Sequence, residues 1–277
     1  MRAPKLLVLA ALVVTALFAV TGAAFATATA NTGAIWTTTV SCGDVDINVD
    51  YASKQDVYLN GGGNGQNNGL ADGYVRPIAW RGSEQLAVSA QNTKIHLAIA
   101  AWAWPSYFGP DRMKGIRLSM AEWRRPDPRT APTASKAAGL YVIGTLSKHA
   151  AEAAGCNDAL MLDWRGQVAE ATGANIFFVL DGKLHTPTPD CFLDGITRRS
   201  VMSLARHRQI TVLERAIMPE EMPKASEAFL AGTAAEVTPI RQIGDYAFEP
   251  GPITEALLTD YEALVRMSPE EVAKRVA

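Results

Sequence analysis

Between residues 158 and 186 the chain doubles back twice at glycine: runs 159–164 and 167–170 flank Arg165-Gly166, and runs 175–180 and 183–186 flank Asp181-Gly182. Short runs joined through a glycine turn form hairpins, because glycine reaches the positive φ that a tight turn demands. This stretch is therefore expected to be antiparallel sheet rather than a string of strand–helix–strand units. Further strand-like runs occupy 74–80, 95–101, 115–120, 211–217, 227–230 and 237–243, and 95–101 is so apolar that a central position is expected for it. Small and apolar residues recur at helical spacing over 136–154, as at Ala138, Tyr141, Val142, Thr145 and Leu146. A second helix is expected over 198–208 with Thr197 as its cap, and a short helical turn over 220–225. The fold class is α+β.

The N-terminal third has a different character. Arg2 and Lys5 precede an apolar run over 6–20 that exits through Ala26-Thr27-Ala28 and Ala28-Thr29-Ala30, which is the pattern of a secretory signal peptide. An uncleaved anchor is the other reading of residues 1–30, since 6–25 has the length to span a bilayer. Residues 31–60 read as a β-rich fragment and 61–69 as a glycine- and asparagine-rich linker, which matches neither phosphate-loop fingerprint. The main domain is then expected over 70–277. Its length suits a sizeable core. A net charge of -2 with 48% hydrophobic residues excludes a disordered chain and gives no basic excess for nucleic acid. Cys42, Cys156 and Cys191 are too scattered for a disulfide framework, and His96, His149, His185 and His207 show no ligand spacing, so no metal is expected.

Chemistry concentrates at SKAAGLY, residues 135–141. Lys136 stands among small residues, so a planar molecule can lie against its backbone. A lysine that forms a Schiff base with pyridoxal phosphate needs that access, together with a carboxylate at the pyridine nitrogen that keeps the ring an electron sink. Glu170 suits the second role. On the heptapeptide alone, a lysine that merely solvates an alanine-rich helix is the commoner reading. Two stretches can offer backbone N–H groups to a phosphate: Gly195-Ile196-Thr197, opening a helix, and Gly232-Thr233-Ala234-Ala235, where a strand breaks into a turn. Either alone is an ordinary turn; with Lys136 and Glu170 they form a cradle for pyridoxal 5'-phosphate.

From about residue 70 to 266 the sequence resembles the class IV pyridoxal-phosphate aminotransferases, and within them the bacterial branched-chain amino-acid aminotransferases. GLADGYVRP (69–77), SKAAGLY, DALMLDWRGQVAEATGANIFFV (158–179), LHTPTPDCFLDGITR (184–198) and FLAGTAAEVTPI (229–240) carry the resemblance in order. It implies the C-terminal domain of fold type IV, an antiparallel, barrel-like sheet with helices outside. It also implies roles. Lys136 is the Schiff-base lysine, Tyr141 bonds the cofactor's phenolic oxygen, Glu170 pairs with the pyridine nitrogen, and Ile196, Thr197 and Thr233 hold the phosphate. Tyr74, with Thr233 and the Ala234 N–H, faces the substrate carboxylate; Arg76 meets the side-chain carboxylate of glutamate; Trp104 walls an aliphatic pocket. The implied reaction is transamination of leucine, isoleucine or valine with 2-oxoglutarate, by a homodimer in the cytoplasm, against which the signal-like N-terminus stands in conflict.

The family's own N-terminal domain, which supplies an arginine to the phosphate, is not recognisable before residue 69. An inactive exported fusion or fragment is therefore the alternative of a different class. Within the fold the alternatives are a D-amino-acid aminotransferase and an aminodeoxychorismate lyase, which Tyr74-Val75-Arg76 and Trp104 match less well.

Overall fold

Strand β6 (Asp158–Leu162) pairs antiparallel with β7 (Val168–Ala171), and β8 (Asn175–Leu180) with β9 (Lys183–Thr186), so both glycine turns close hairpins. The turn residues sit where the geometry requires them, with Gly166 at φ 88° and Asp181 and Gly182 at 50° and 71°. The protein is described by a computed structural model at residues 35–38, 58–61, 74–102 and 111–265. The chain divides into two compact units, Met1–Trp104 and Pro105–Ala277.

In the second unit six strands close on themselves. The order is β8, β11 (Glu227–Gly232), β12 (Glu236–Ile243), β5 (Ile116–Met120), β6, β7 and back to β8, with β9 and β10 (Val212–Glu214) extending one edge and β13 (Tyr246–Ala247) paired on β12. The barrel-like sheet of the expected fold is present. Two of its seams, β12–β5 and β5–β6, are parallel. A parallel pair needs a long crossover, and helix α1 (Tyr141–Ala153) supplies it between β5 and β6.

Strand β8 reads NIFFVL and is buried on both faces. Ile176 and Phe178 join Leu118, Leu160, Leu230 and Ile240 in one cluster. Phe177 and Val179 join a second, beneath α2 (Ile196–His207) and α3 (Pro252–Leu264), where Phe177 stacks on Phe229 at 5.0 Å. Truncating either phenylalanine to alanine would cost about 3–5 kcal/mol.

Several elements of this unit depart from the expectations. The helix expected from 136 starts at Tyr141, after a 3-10 turn Ala138–Leu140; Ala137 is extended at φ -81°, ψ 133°, so Lys136 sits in a loop. Helix α2 starts at Ile196 with Gly195 as its N-cap, which leaves Thr197 in the first turn and not capping it. Helix α3 falls where no element was expected, although Pro252 in its first turn and apolar residues at Ile253, Leu257, Tyr261 and Leu264 give the signal. Its N-terminus rests on buried Glu227, which accepts from the Thr254 N–H at 2.7 Å and the Ile253 N–H at 3.3 Å.

In the first unit β1 (Ile35–Thr38) pairs antiparallel with β2 (Tyr58–Gly61), and β3 (Tyr74–Arg81) with β4 (Ile95–Trp102). Strand β4 was expected to be central. Among the described residues it pairs with β3 alone, and its Ile95 is exposed. The signal-like segment, the linker residues 62–69 and Trp104 lie outside the described residues. No helix among the described residues is long and apolar enough to cross a membrane.

Candidate active site

Glu170 on β7 lies directly opposite Asn175 on β8, across the turn at 171–174. Its carboxyl is buried. The Arg125 guanidinium contacts Oε1, and the Asn175 amide donates to Oε2 at 3.2 Å. Burial pushes the carboxyl up to about 7, against the pull of Arg125 and, less strongly, Lys136. Lys136 is exposed in the loop before α1, and its ammonium donates to Tyr141 Oη at 2.8 Å. An amine open to solution, a phenol bonded to it and a buried carboxylate within electrostatic reach are thus grouped.

The two anion-binding stretches adjoin the same hairpin. Asn175 also donates to Leu193 O at 3.0 Å, and a Cβ on residue 195 would fall 2.5 Å from its Oδ1. Only glycine lets the start of α2 come so near. No side chain among the described residues caps that start, so its first backbone N–H groups stay available to an anion. The turn at 233–235 joins β11 to β12, and a Cβ on Gly232 would meet Ala174 Cβ at 3.2 Å. There Thr233 is exposed and Ala234 half-buried. The 170–175 hairpin therefore touches Glu170's partners, the N-terminus of α2 and the 232–235 turn, and the residues present fit pyridoxal phosphate: amine, carboxylate and phosphate ends share one framework.

The other expected residues differ in burial and in partner. Ile196 is 77% exposed, so its backbone N–H and not its side chain is the useful group. Thr197 is buried with Oγ1 3.2 Å from Tyr261 Oη of α3. Tyr74 and Arg76 belong to the other unit, on one face of β3, opposite Trp102 and Ala100. Sequence reasoning missed Arg125, Asn175 and Tyr261. Asn175 was within reach, being one short turn beyond Glu170. Elsewhere Asp163, Asp190 and Cys191 converge, but Arg165 lies 2.6 and 2.7 Å from the two carboxylates and answers their charge, while burial pushes the Cys191 thiol up to about 12.

Residues 63–243 match the model of the amino-transferase class IV family. The chain belongs to the class IV aminotransferases. Over 202 residues it is 38% identical to the branched-chain-amino-acid aminotransferase of Pseudomonas aeruginosa, covering 72% of this chain and 66% of that one. The branched-chain aminotransferase of the archaeon Thermoproteus uzoniensis, solved with norvaline, superposes with a TM-score of 0.71 at 35% identity, over 76% of this chain and 70% of that one. A T.th. branched-chain amino acid aminotransferase, solved with N-(5'-phosphopyridoxyl)-L-glutamate, gives 0.70 at 34% identity with the same coverage. This class IV chain spans about two thirds of the length of the relatives it matches. The family's cofactor is pyridoxal 5'-phosphate, the group whose fit to the hairpin cradle is described above.

Proposed function

We propose that the chain holds pyridoxal phosphate on Lys136 and transfers amino groups between branched-chain amino acids (leucine, isoleucine, valine) and 2-oxoglutarate. The observation that carries this reading is the grouping of the Lys136 amine, bonded to Tyr141, with the buried carboxylate of Glu170. Names support the substrate class: the relatives are branched-chain aminotransferases, and one was solved with a phosphopyridoxyl adduct of glutamate. When bound, the cofactor supplies the electron sink that makes the substrate's α-hydrogen acidic.

The chain's own residues then have distinct tasks. Lys136 Nζ anchors the cofactor, is displaced by the incoming amine, and takes the α-carbon proton as general base. Tyr141 Oη holds that nitrogen in place. Glu170 orients the pyridine nitrogen and holds its proton. The N–H groups of Ile196 and Thr197 and the turn at Thr233 bind phosphate, together with the hydroxyl of Thr197, which lies 3.2 Å from Tyr261 Oη. Thr233, the Ala234 N–H and Tyr74 receive the substrate carboxylate, Arg76 the side-chain carboxylate of glutamate, and Trp104 the aliphatic chain. We place the reaction in the cytoplasm, in a homodimer, with the family-like part beginning near residue 70.

The test is glutamate formation from leucine and 2-oxoglutarate by the full chain with added pyridoxal phosphate. Turnover by the parent and none by Lys136→Ala is expected. Undiminished turnover by Lys136→Ala would end the assignment.

A further inference from the structure

We propose that Arg125 is a positioning residue for this site: it ties the Glu170 carboxylate to the Lys136–Tyr141 turn and holds it in the charged form that a protonated pyridine nitrogen requires. The inference rests on the proposed role of Glu170. Arg125 lies outside every motif that carries the family resemblance, in the irregular stretch after β5.

Its backbone is fixed before its side chain acts. The Arg125 N–H donates to Leu162 O at 2.8 Å, and the residue forms an isolated parallel bridge with Asp163, so it continues the β5–β6 seam by one further pairing. From that anchor the guanidinium reaches two places. Nη2 contacts Glu170 Oε1, and Nη1 donates to Leu140 O at 3.4 Å, the residue immediately before Tyr141. One planar group thus spans the carboxylate and the start of α1, whose first residue holds the Lys136 amine.

The burial makes the charge consequential. Arg125 is 8% exposed and Glu170 4%, and the Arg125 Nε is buried with no partner among the described residues. A buried ion pair with a donor left over adds little to stability compared with an apolar pair of the same size. It does control which form of the carboxyl exists. The other groups around Glu170 cannot do this alone. Asn175 from β8 is neutral, the Cys191 thiol is protonated, and Lys136 gives up its free ammonium when it binds the cofactor. Among the described residues Arg125 is then the permanent cation beside the carboxylate. With the carboxyl already driven up to about 7 by burial, its removal moves the charged form out of the neutral range.

The experiment uses the apo full chain with glutamate labelled at the side-chain carboxyl carbon by carbon-13, the Glu170 signal being assigned by its loss in Glu170→Gln. Arg125→Gln and the apolar Arg125→Met are titrated beside the parent from pH 5 upward. At that pH Glu170 is protonated, so neither variant has to fold around an unpaired charge. The Glu170 midpoint is expected to rise by about one pH unit or more in both variants, and Arg125→Lys to return most of that shift. Pyridoxal phosphate retention by Arg125→Gln should fall about tenfold at pH 7 and recover above pH 9, whereas loss of packing alone would lower it equally at both. An unmoved midpoint in Arg125→Gln and Arg125→Met would overturn the inference. Shifted midpoints in the variants of a parent that never retains pyridoxal phosphate would instead refute the proposed function and leave Arg125's control of Glu170 standing.

Discussion

Glu170 keeps its proton further up the pH scale than an exposed glutamate does. The unfolded chain releases that proton near 4.5 and the folded chain near 7, so folding takes up a proton between these values. The contribution to stability is fully present below about 4.5 and is lost as pH rises through 7. Urea unfolding of the apo chain should show this decline between pH 5 and pH 7.5, and Glu170→Gln should flatten it; an equal decline in both proteins would place the titrating group elsewhere. At the proposed phosphate end, Tyr261→Phe removes the hydroxyl that lies 3.2 Å from Thr197 Oγ1. A buried hydroxyl left without its partner costs about 1–3 kcal/mol, so that variant should melt earlier than the parent, by calorimetry. Lys136, Tyr141 and Glu170 could be picked out in sequence because the proposed roles need particular residue types, and the fold brings the three near one another. Arg125 was not, since nothing local announces that it pairs with a carboxylate 45 residues away.

Helix α2 approaches the site only because residue 195 is glycine. Gly195→Ala places a methyl against Asn175 Oδ1, and either the helix or the Glu170–Asn175 pair must give way. A loss of about 1–3 kcal/mol in chemical denaturation is expected, with weaker cofactor retention alongside it; a variant that retains the cofactor as the parent does would show that the N-terminus of α2 is not the phosphate seat. Elements with punctuation in their own sequence could be read directly, as the hairpins at Gly166 and Gly182 show. The start of α1 could not. Residues 134–139 have helix-forming composition, yet Pro132 and a turn closed by the Ser135 N–H onto Pro132 O take them out of the helix, which leaves Lys136 in an accessible loop.

The whole second unit depends on pairings between strands far apart in sequence. β5 meets β12 with Ile116 beside Ile240, and β6 meets β5 across the α1 crossover. Local pattern gave the strands and their alternation, while closure into a ring is set by long-range parallel seams that no local signal specifies. The same closure makes the site a property of the folded unit, because β7, β8, the start of α2 and the turn after β11 are brought together by it. Cofactor binding should therefore stabilise the whole unit, by about 2.7 kcal/mol when free pyridoxal phosphate is 100 times its Kd, read as a rise in Tm that Lys136→Ala largely loses. The most direct measurement is reductive trapping: the full chain is mixed with pyridoxal phosphate, treated with borohydride, digested and mapped by mass spectrometry. The account predicts phosphopyridoxyl label on the peptide containing Lys136 and at no other lysine in comparable yield. Label on a different lysine, or none under saturating cofactor, would contradict it.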